Sequence, residues 1–92
     1  MSAHRELPAE LSIYTAAETH AQMLQWLDAD PEPGAWPVAA QAVAQADAAG
    51  VQLLVALQRS LHERGQQLAL NEPSQVLARA CDSLGLSSLM AR

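Results

Sequence analysis

The stretch that decides the fold runs from Ala46 to Arg59 and reads ADAAGVQLLVALQR. Asp47 is a good helix N-cap, because its carboxylate can accept a hydrogen bond from a first-turn N–H group that has no partner inside the helix. From Gly50 onward, apolar residues recur at the spacing of one helical face, with about 100° between successive residues. We expect this face to bury against a sheet. It consists of Gly50, Leu54, Leu57 and Leu61, with Leu53 beside it.

A second, smaller apolar strip lies on the same predicted helix, turned from the first face by about a third of a turn. It consists of Ala48, Val51 and Val55, bordered by Gln52, Arg59 and His62. We expect this strip to be partly open to solvent, because the chain supplies no obvious internal partner for it. Single exposed valines are also ordinary on protein surfaces. The residues alone therefore leave open both a partner-binding role and no role.

Signals for helices and strands alternate along the rest of the chain. The sequence TAAE at residues 15–18 has the pattern of a capping box and predicts a helix to about Asp28. Short strands are predicted over residues 4–8, 35–40 and 66–70, a linker over 28–34 and a loop over 41–46. The central helix should end before Gly65, and Ser74 should cap a last helix that ends at Gly85. This alternation is an α/β order, in which right-handed crossovers leave neighbouring strands parallel.

The two outer helices each carry apolar residues that should turn inward. In the first helix these are Ala16, Met23, Leu24 and Leu27, with Trp26 at the edge. In the last helix they are Val76, Leu77, Ala80, Cys81 and Leu84. On such a face Cys81 is expected to be a buried, inert thiol rather than a nucleophile. Trp36 is expected to cap the core rather than bind a ligand. His20 should be partly buried with a backbone partner rather than a metal ligand, since no second ligand accompanies it at metal spacing.

Composition and motifs exclude several classes of function. The chain has 92 residues and a net charge of −5, and its five basic residues are all arginine, which argues against nucleic acids and anionic membranes. It has no apolar run long enough to span a bilayer and no apolar segment of a signal peptide near Met1. One cysteine makes no internal disulfide, so a cytoplasmic location is expected. No motif for catalysis, a metal or a cofactor occurs, so the protein is not expected to be an enzyme.

The stretch at residues 43–54, VAQADAAGVQLL, resembles the signature of STAS domains, named for sulfate transporters and anti-sigma factor antagonists. In that signature a strand and a short loop precede Asp-Ser/Thr-Ser/Ala-Gly-Leu and a Leu-rich helix. Three shorter motifs lie in the family's order around it: LPAEL at 7–11, PSQV at 73–76 and LGL at 84–86. The resemblance covers residues 5–86. It implies one STAS-like α/β domain over residues 1–92, with a small mixed sheet and helices packed mainly on one face.

The resemblance also implies a function. Such a chain would be a non-enzymatic adaptor in bacterial signalling, either an anti-sigma factor antagonist or a chemosensory accessory, that binds a kinase-like or receptor-complex partner. The alternative is the small cytoplasmic STAS subunit of an ABC-type lipid transporter, which binds the transporter's ATPase. Both imply the same partner-binding residues: Asp47, Ala48, Val51, Gln52, Val55 and Arg59. The family's phosphoacceptor is the Ser or Thr after the motif aspartate, and here that residue is Ala48, which has no hydroxyl.

We predict that the signature stretch carries no phosphate, because the residues from Val43 to Val55 include no Ser, Thr or Tyr. The measurement is incubation with a cognate kinase and ATP, followed by intact-mass analysis and peptide mapping. A phosphate mapped inside the stretch would contradict this prediction. A phosphate elsewhere, at Ser60 for example, would show that the control point has moved.

Overall fold

Strands and helices follow one another in an α/β order, as the sequence predicts, although two strands come in succession before the central helix. A computed structural model describes residues 5–29, 34–86 and 89. Its elements are β1 (Glu10–Leu11), α1 (Ala16–Ala29), β2 (Gly34–Ala39), β3 (Gln45–Ala46), α2 (Ala48–Glu63), β4 (Gln66–Asn71) and α3 (Gln75–Ser83). The α/β fold class is confirmed. The centre of the predicted linker, residues 30–33, lies outside the described residues.

The described strands form two parallel pairs, which confirms the expectation of parallel neighbours. They do not form the one small mixed sheet that the resemblance implies, because the two pairs are separate and both are parallel. β2 pairs with β4 along its whole length, from Gly34 opposite Gln66 to Ala39 opposite Asn71. β1 pairs with β3 over two residues. The prediction of a loop over residues 41–46 is therefore wrong at its end, because Gln45 and Ala46 form β3. Of the strand predicted over residues 4–8, the described part makes one bridge, between Glu6 and Ala39.

One hydrophobic cluster joins α2 to both strand pairs. The predicted inner face of α2 is confirmed, since Gly50, Leu54, Leu57 and Leu61 are all buried. α2 packs against β4, β1, α1 and α3. The same cluster includes Leu11 of β1, Val38 of β2 and Leu70 of β4. α2 is thus the central element of the core.

Two tryptophans and one arginine pack together in the core, with Trp36 of β2 between Trp26 and Arg5 in the chain of contacts. Trp36 is buried, and its ring meets the ring of Trp26 edge to face, with 6.2 Å between the ring centroids. The guanidinium carbon of Arg5 lies 3.9 Å from the centre of the Trp36 ring, and its Nη1 donates to the Pro37 carbonyl oxygen over 3.1 Å. Trp36 is a core residue, and Trp26, which the sequence places at an edge, is buried too.

Three residues predicted to turn inward are exposed instead. These are Leu24 of α1, Val76 of α3 and Leu84, which caps the end of α3. Each outer helix buries a narrow stripe. In α3 that stripe is Leu77 and Cys81, four residues apart, and Val76 lies about 100° around the helix from Leu77. In α1 the buried residues are Thr19, Met23 and Trp26. His20, expected to be partly buried, is exposed.

Gly50 marks the point where α2 comes closest to β1. A Cβ atom on Gly50 would overlap the carbonyl group of Leu11 and lie 2.9 Å from the Leu11 Cγ. The first turn of α2 therefore packs directly on the backbone of β1, which only a residue without a side chain allows. Gly65, just beyond α2, has a φ of 76° and nothing within 4 Å of an added Cβ.

We predict that Gly50→Ala destabilises the protein, although alanine favours a helix over glycine by about 1 kcal/mol. Overpacking costs about 1–3 kcal/mol, and the upper end applies here because the obstructing atoms belong to the backbone. The control is Gly65→Ala, which meets no neighbour and should cost only about 1 kcal/mol for the left-handed backbone. Urea unfolding measures both. A Gly50→Ala variant as stable as the parent would show that α2 does not touch β1.

Candidate functional site

The carboxylate of Asp47 ties the start of α2 to the turn that follows β1. One oxygen, Oδ1, accepts from the Gly50 N–H over 2.9 Å, which is the predicted N-cap. The other, Oδ2, accepts from the Ile13 N–H over 3.0 Å. The Asp47 N–H in turn donates to the Leu11 carbonyl oxygen over 3.1 Å. The N–H donors of Gly50 and then Ile13 hold the pKa of Asp47 below its usual range, because they stabilise the ionised form.

The outward surface of α2 begins next to this cap. Ala48, Gln52 and Arg59 are exposed, and Val55 is half-buried against the core. Since successive residues differ by about 100°, these four positions lie on one side of the helix. The expected opening of the apolar strip to solvent is confirmed for Ala48 and Val55.

Val51 is the exception, and the expectation that it is partly open to solvent is wrong. Its exposed fraction is 0 %. Val51 lies about 60° around the helix from Leu54, because three steps of about 100° fall short of a full turn by that amount. It therefore belongs to the core side of α2, and its side chain is covered in this structure.

A second exposed feature lies beside the cap, in the turn between β1 and α1. Ile13 and Tyr14 have exposed fractions of 65 % and 88 %. Sequence reasoning did not assign them to the site. The available signal is their position: two large apolar residues between a strand and a helix cap, in phase with neither element. We call these two residues the Ile13–Tyr14 turn.

Polar side chains hold this turn in place. The capping box predicted at Thr15 does not form in the described part of the chain. Instead, the Thr15 hydroxyl donates to the Glu10 carbonyl oxygen and accepts from the Ser12 N–H. The Ser12 hydroxyl donates to the Glu10 carboxylate over 2.6 Å and accepts from the Tyr14 N–H over 3.2 Å. The turn is therefore hydrogen-bonded both to β1 and to Asp47.

The described residues offer little to other kinds of site. They contain no group of three His, Cys, Asp or Glu residues placed to hold a metal ion, and no helix among them is long and apolar enough to cross a membrane. Cys81 is buried, and burial raises the pKa of its thiol, which disfavours the reactive thiolate. The expectation that Cys81 is buried is confirmed.

The parallel α/β core, with a capped central helix whose Asp-x-x-Gly start packs on a strand, agrees with the STAS resemblance of the sequence. Residues 5–91 match the family model described as "Mlab, STAS domain", so the chain belongs to the STAS family. No curated protein and no solved structure matches the chain. STAS domains are generally non-enzymatic and mediate protein–protein interaction.

We predict that Asp47→Asn destabilises the protein at neutral pH, because an amide cannot accept both the Gly50 and Ile13 N–H groups. The pKa of Asp47 is lowered on folding, so its contribution to stability is present above the unfolded pKa of about 3.9 and is lost as pH falls through the lower folded pKa. The difference in unfolding free energy between parent and variant should therefore shrink below about pH 4.

The matched control for this pH series is Ser74→Ala. Ser74 caps α3 by accepting from the Leu77 N–H over 3.1 Å. Its loss should cost about 1 kcal/mol, and this cost should not depend on pH because a hydroxyl does not titrate in this range. A parent-to-Asp47→Asn difference that stays constant from pH 7 to pH 2 would contradict the assigned role of the Asp47 charge.

Proposed function

We propose that this protein is a non-enzymatic, cytoplasmic adaptor in bacterial signalling, which binds a kinase-like or chemosensory partner protein through the outward surface of α2. The observation that carries the proposal is the arrangement at the start of α2. Ala48 and Gln52 are exposed there, Val55 is half-buried beside them, and Asp47 fixes the helix end below them. Arg59 extends this surface by about one turn beyond Val55. A rigid surface binds with less loss of conformational freedom than a flexible one.

Ala48 decides how such a surface would be used. A phosphate at this position would add between one and a half and two negative charges to the part of the surface where Ala48, Val55 and Gln52 offer methyl and amide groups. With alanine there, the patch of Ala48 and Val55 stays uncharged under all conditions. The proposal is therefore a partner that stays bound, rather than one released by phosphorylation of this helix end.

The same observation favours a second candidate, the STAS subunit of an ABC-type lipid transporter that binds the ATPase through α2. A permanent subunit of a complex needs no phosphorylation switch, and Ala48 supplies none. Affinity purification of the tagged chain from its native host, followed by mass spectrometry, separates the two candidates. A kinase-like or chemosensory protein supports the first, and an ABC ATPase supports the second.

We predict that Ala48→Glu abolishes binding of the purified partner without lowering the melting temperature. Ala48 is exposed in the first turn of α2, where the helix dipole favours a negative side chain by about 0.3–1 kcal/mol. In the complex, however, the larger glutamate side chain would stand in the apolar contact made by Ala48 and Val55 and would lose its water there, which is costly. Melting curves and a titration with the co-purified protein test both halves of this prediction.

The matched control is Ala21→Glu, the same substitution at an exposed position of α1. It should change neither the melting temperature nor the affinity. Equal affinity of the parent and Ala48→Glu would overturn α2 as the binding surface. Val51→Glu is unsuitable for this test, because Val51 is buried and its charge would damage folding.

A further inference from the structure

The Ile13–Tyr14 turn exposes two large apolar side chains that folding does not need. Other large apolar side chains are also exposed, but among the described residues Tyr14 and Ile13 have the largest exposed fractions, at 88 % and 65 %. They are also adjacent in sequence, so both side chains extend from the same turn. Exposed apolar surface gathered at one place often marks an interaction site. Tyrosine in particular is enriched among the residues that contribute most to binding.

The exposure is built into the structure, because the turn is held by hydrogen bonds from both sides. The Ile13 N–H is bound by Asp47 and the Tyr14 N–H by the Ser12 hydroxyl. The Thr15 N–H donates to the Ser12 carbonyl oxygen over 3.1 Å. The backbone of the turn is thereby fixed, so its side chains are presented in advance and little conformational entropy is lost when they are buried by a partner.

The turn is continuous with the proposed binding surface. The Asp47 carboxylate contacts the backbone of Ile13 on one side and caps the helix that begins with Ala48 on the other. A partner that covers the start of α2 would therefore also meet this turn. Each oxygen of the Asp47 carboxylate accepts one backbone N–H, so this side chain holds the turn to the start of the helix.

The charges around the turn are negative. Glu10 lies before it with its carboxylate bound to Ser12, Glu18 is exposed in the first turn of α1, and Asp47 is ionised beside it. Among the described residues 5–29 the one Arg is Arg5, which is buried against Trp36. This charge pattern complements a basic surface. It disfavours a second copy of the chain, which would bring the same acids to the contact.

We propose that Ile13 and Tyr14 are the apolar anchor of the interface, and that they insert into an apolar pocket edged by Arg or Lys side chains on the partner protein. The proposal rests on the proposed function, because it extends the same surface. Tyr14 fits such a pocket on two counts. Its ring buries a large apolar area, and its face attracts the guanidinium of an arginine at the pocket edge.

The test uses the protein that co-purifies with the tagged chain, purified again and titrated against variants. Tyr14→Ala should weaken binding by roughly 30-fold or more, as expected for a central anchor. Its melting temperature should match the parent's, because the ring is exposed. Leu24→Ala removes another exposed apolar side chain, on α1, and should change affinity by less than about twofold. Glu18→Gln should slow association at low salt and lose its effect at high salt.

The outcomes distinguish the anchor from the proposed function. If Ala48→Glu loses binding while Tyr14→Ala keeps it, the anchor is overturned and the proposed function stands. If Tyr14→Ala loses binding and Ala48→Glu keeps it, the anchor stands and α2 is not the interface. A parent chain that retains no partner overturns both. A parent that instead forms dimers in sedimentation equilibrium, abolished by Tyr14→Ala, overturns the assignment to a basic partner.

Discussion

The contact between the start of α2 and the backbone of β1 is the constraint on which the rest of the structure depends. Leu11 offers its carbonyl oxygen to the Asp47 N–H, and Gly50 leaves room for that same carbonyl group. This contact fixes the position of α2 on β1. Because of the helical period, the inner face that includes Leu54 and Leu61 then points into the core that α2 shares with β4. A side chain at position 50 would lift the helix and open this core.

The same contact decides what the protein presents to its surroundings. Three side chains form hydrogen bonds to backbone groups of the turn after β1. They are those of Ser12, Thr15 and Asp47. These polar side chains are engaged in hydrogen bonds within the protein, and the side chains that face outward are those of Ile13 and Tyr14. A fold requirement thus yields a rigid apolar projection beside α2. Stability and the proposed recognition are in this way properties of one small unit, and the cap residue Asp47 serves both.

Local features of the structure were predictable from the sequence, and long-range ones were not. The caps at Asp47 and Ser74 and the inner face of α2 depend on residues within a turn or two of each other, so their spacing identifies them. The two residues of β3 form a strand because β1 pairs with them, and Thr15 turns from its expected cap to Glu10. The burial of Arg5 depends on its contact with Trp36, which is distant in the sequence. The spacing of apolar residues within one helix therefore cannot predict it.

The candidate surface shows the same division. Helical spacing placed Ala48, Gln52, Val55 and Arg59 on the outward side but misplaced Val51, because the width of a buried stripe depends on how closely neighbouring elements approach. The Ile13–Tyr14 turn shows no hydrophobic period of a helix or strand. Its proposed role depends on the hydrogen bond from Ile13 to Asp47, which joins the turn to α2. With alanine at position 48, the first turn of α2 has no hydroxyl by which its charge could be changed. Under the proposed function, partner choice is then set by shape and fixed charge, and the residues that most distinguish one partner from another are the exposed apolar pair and the acids around it.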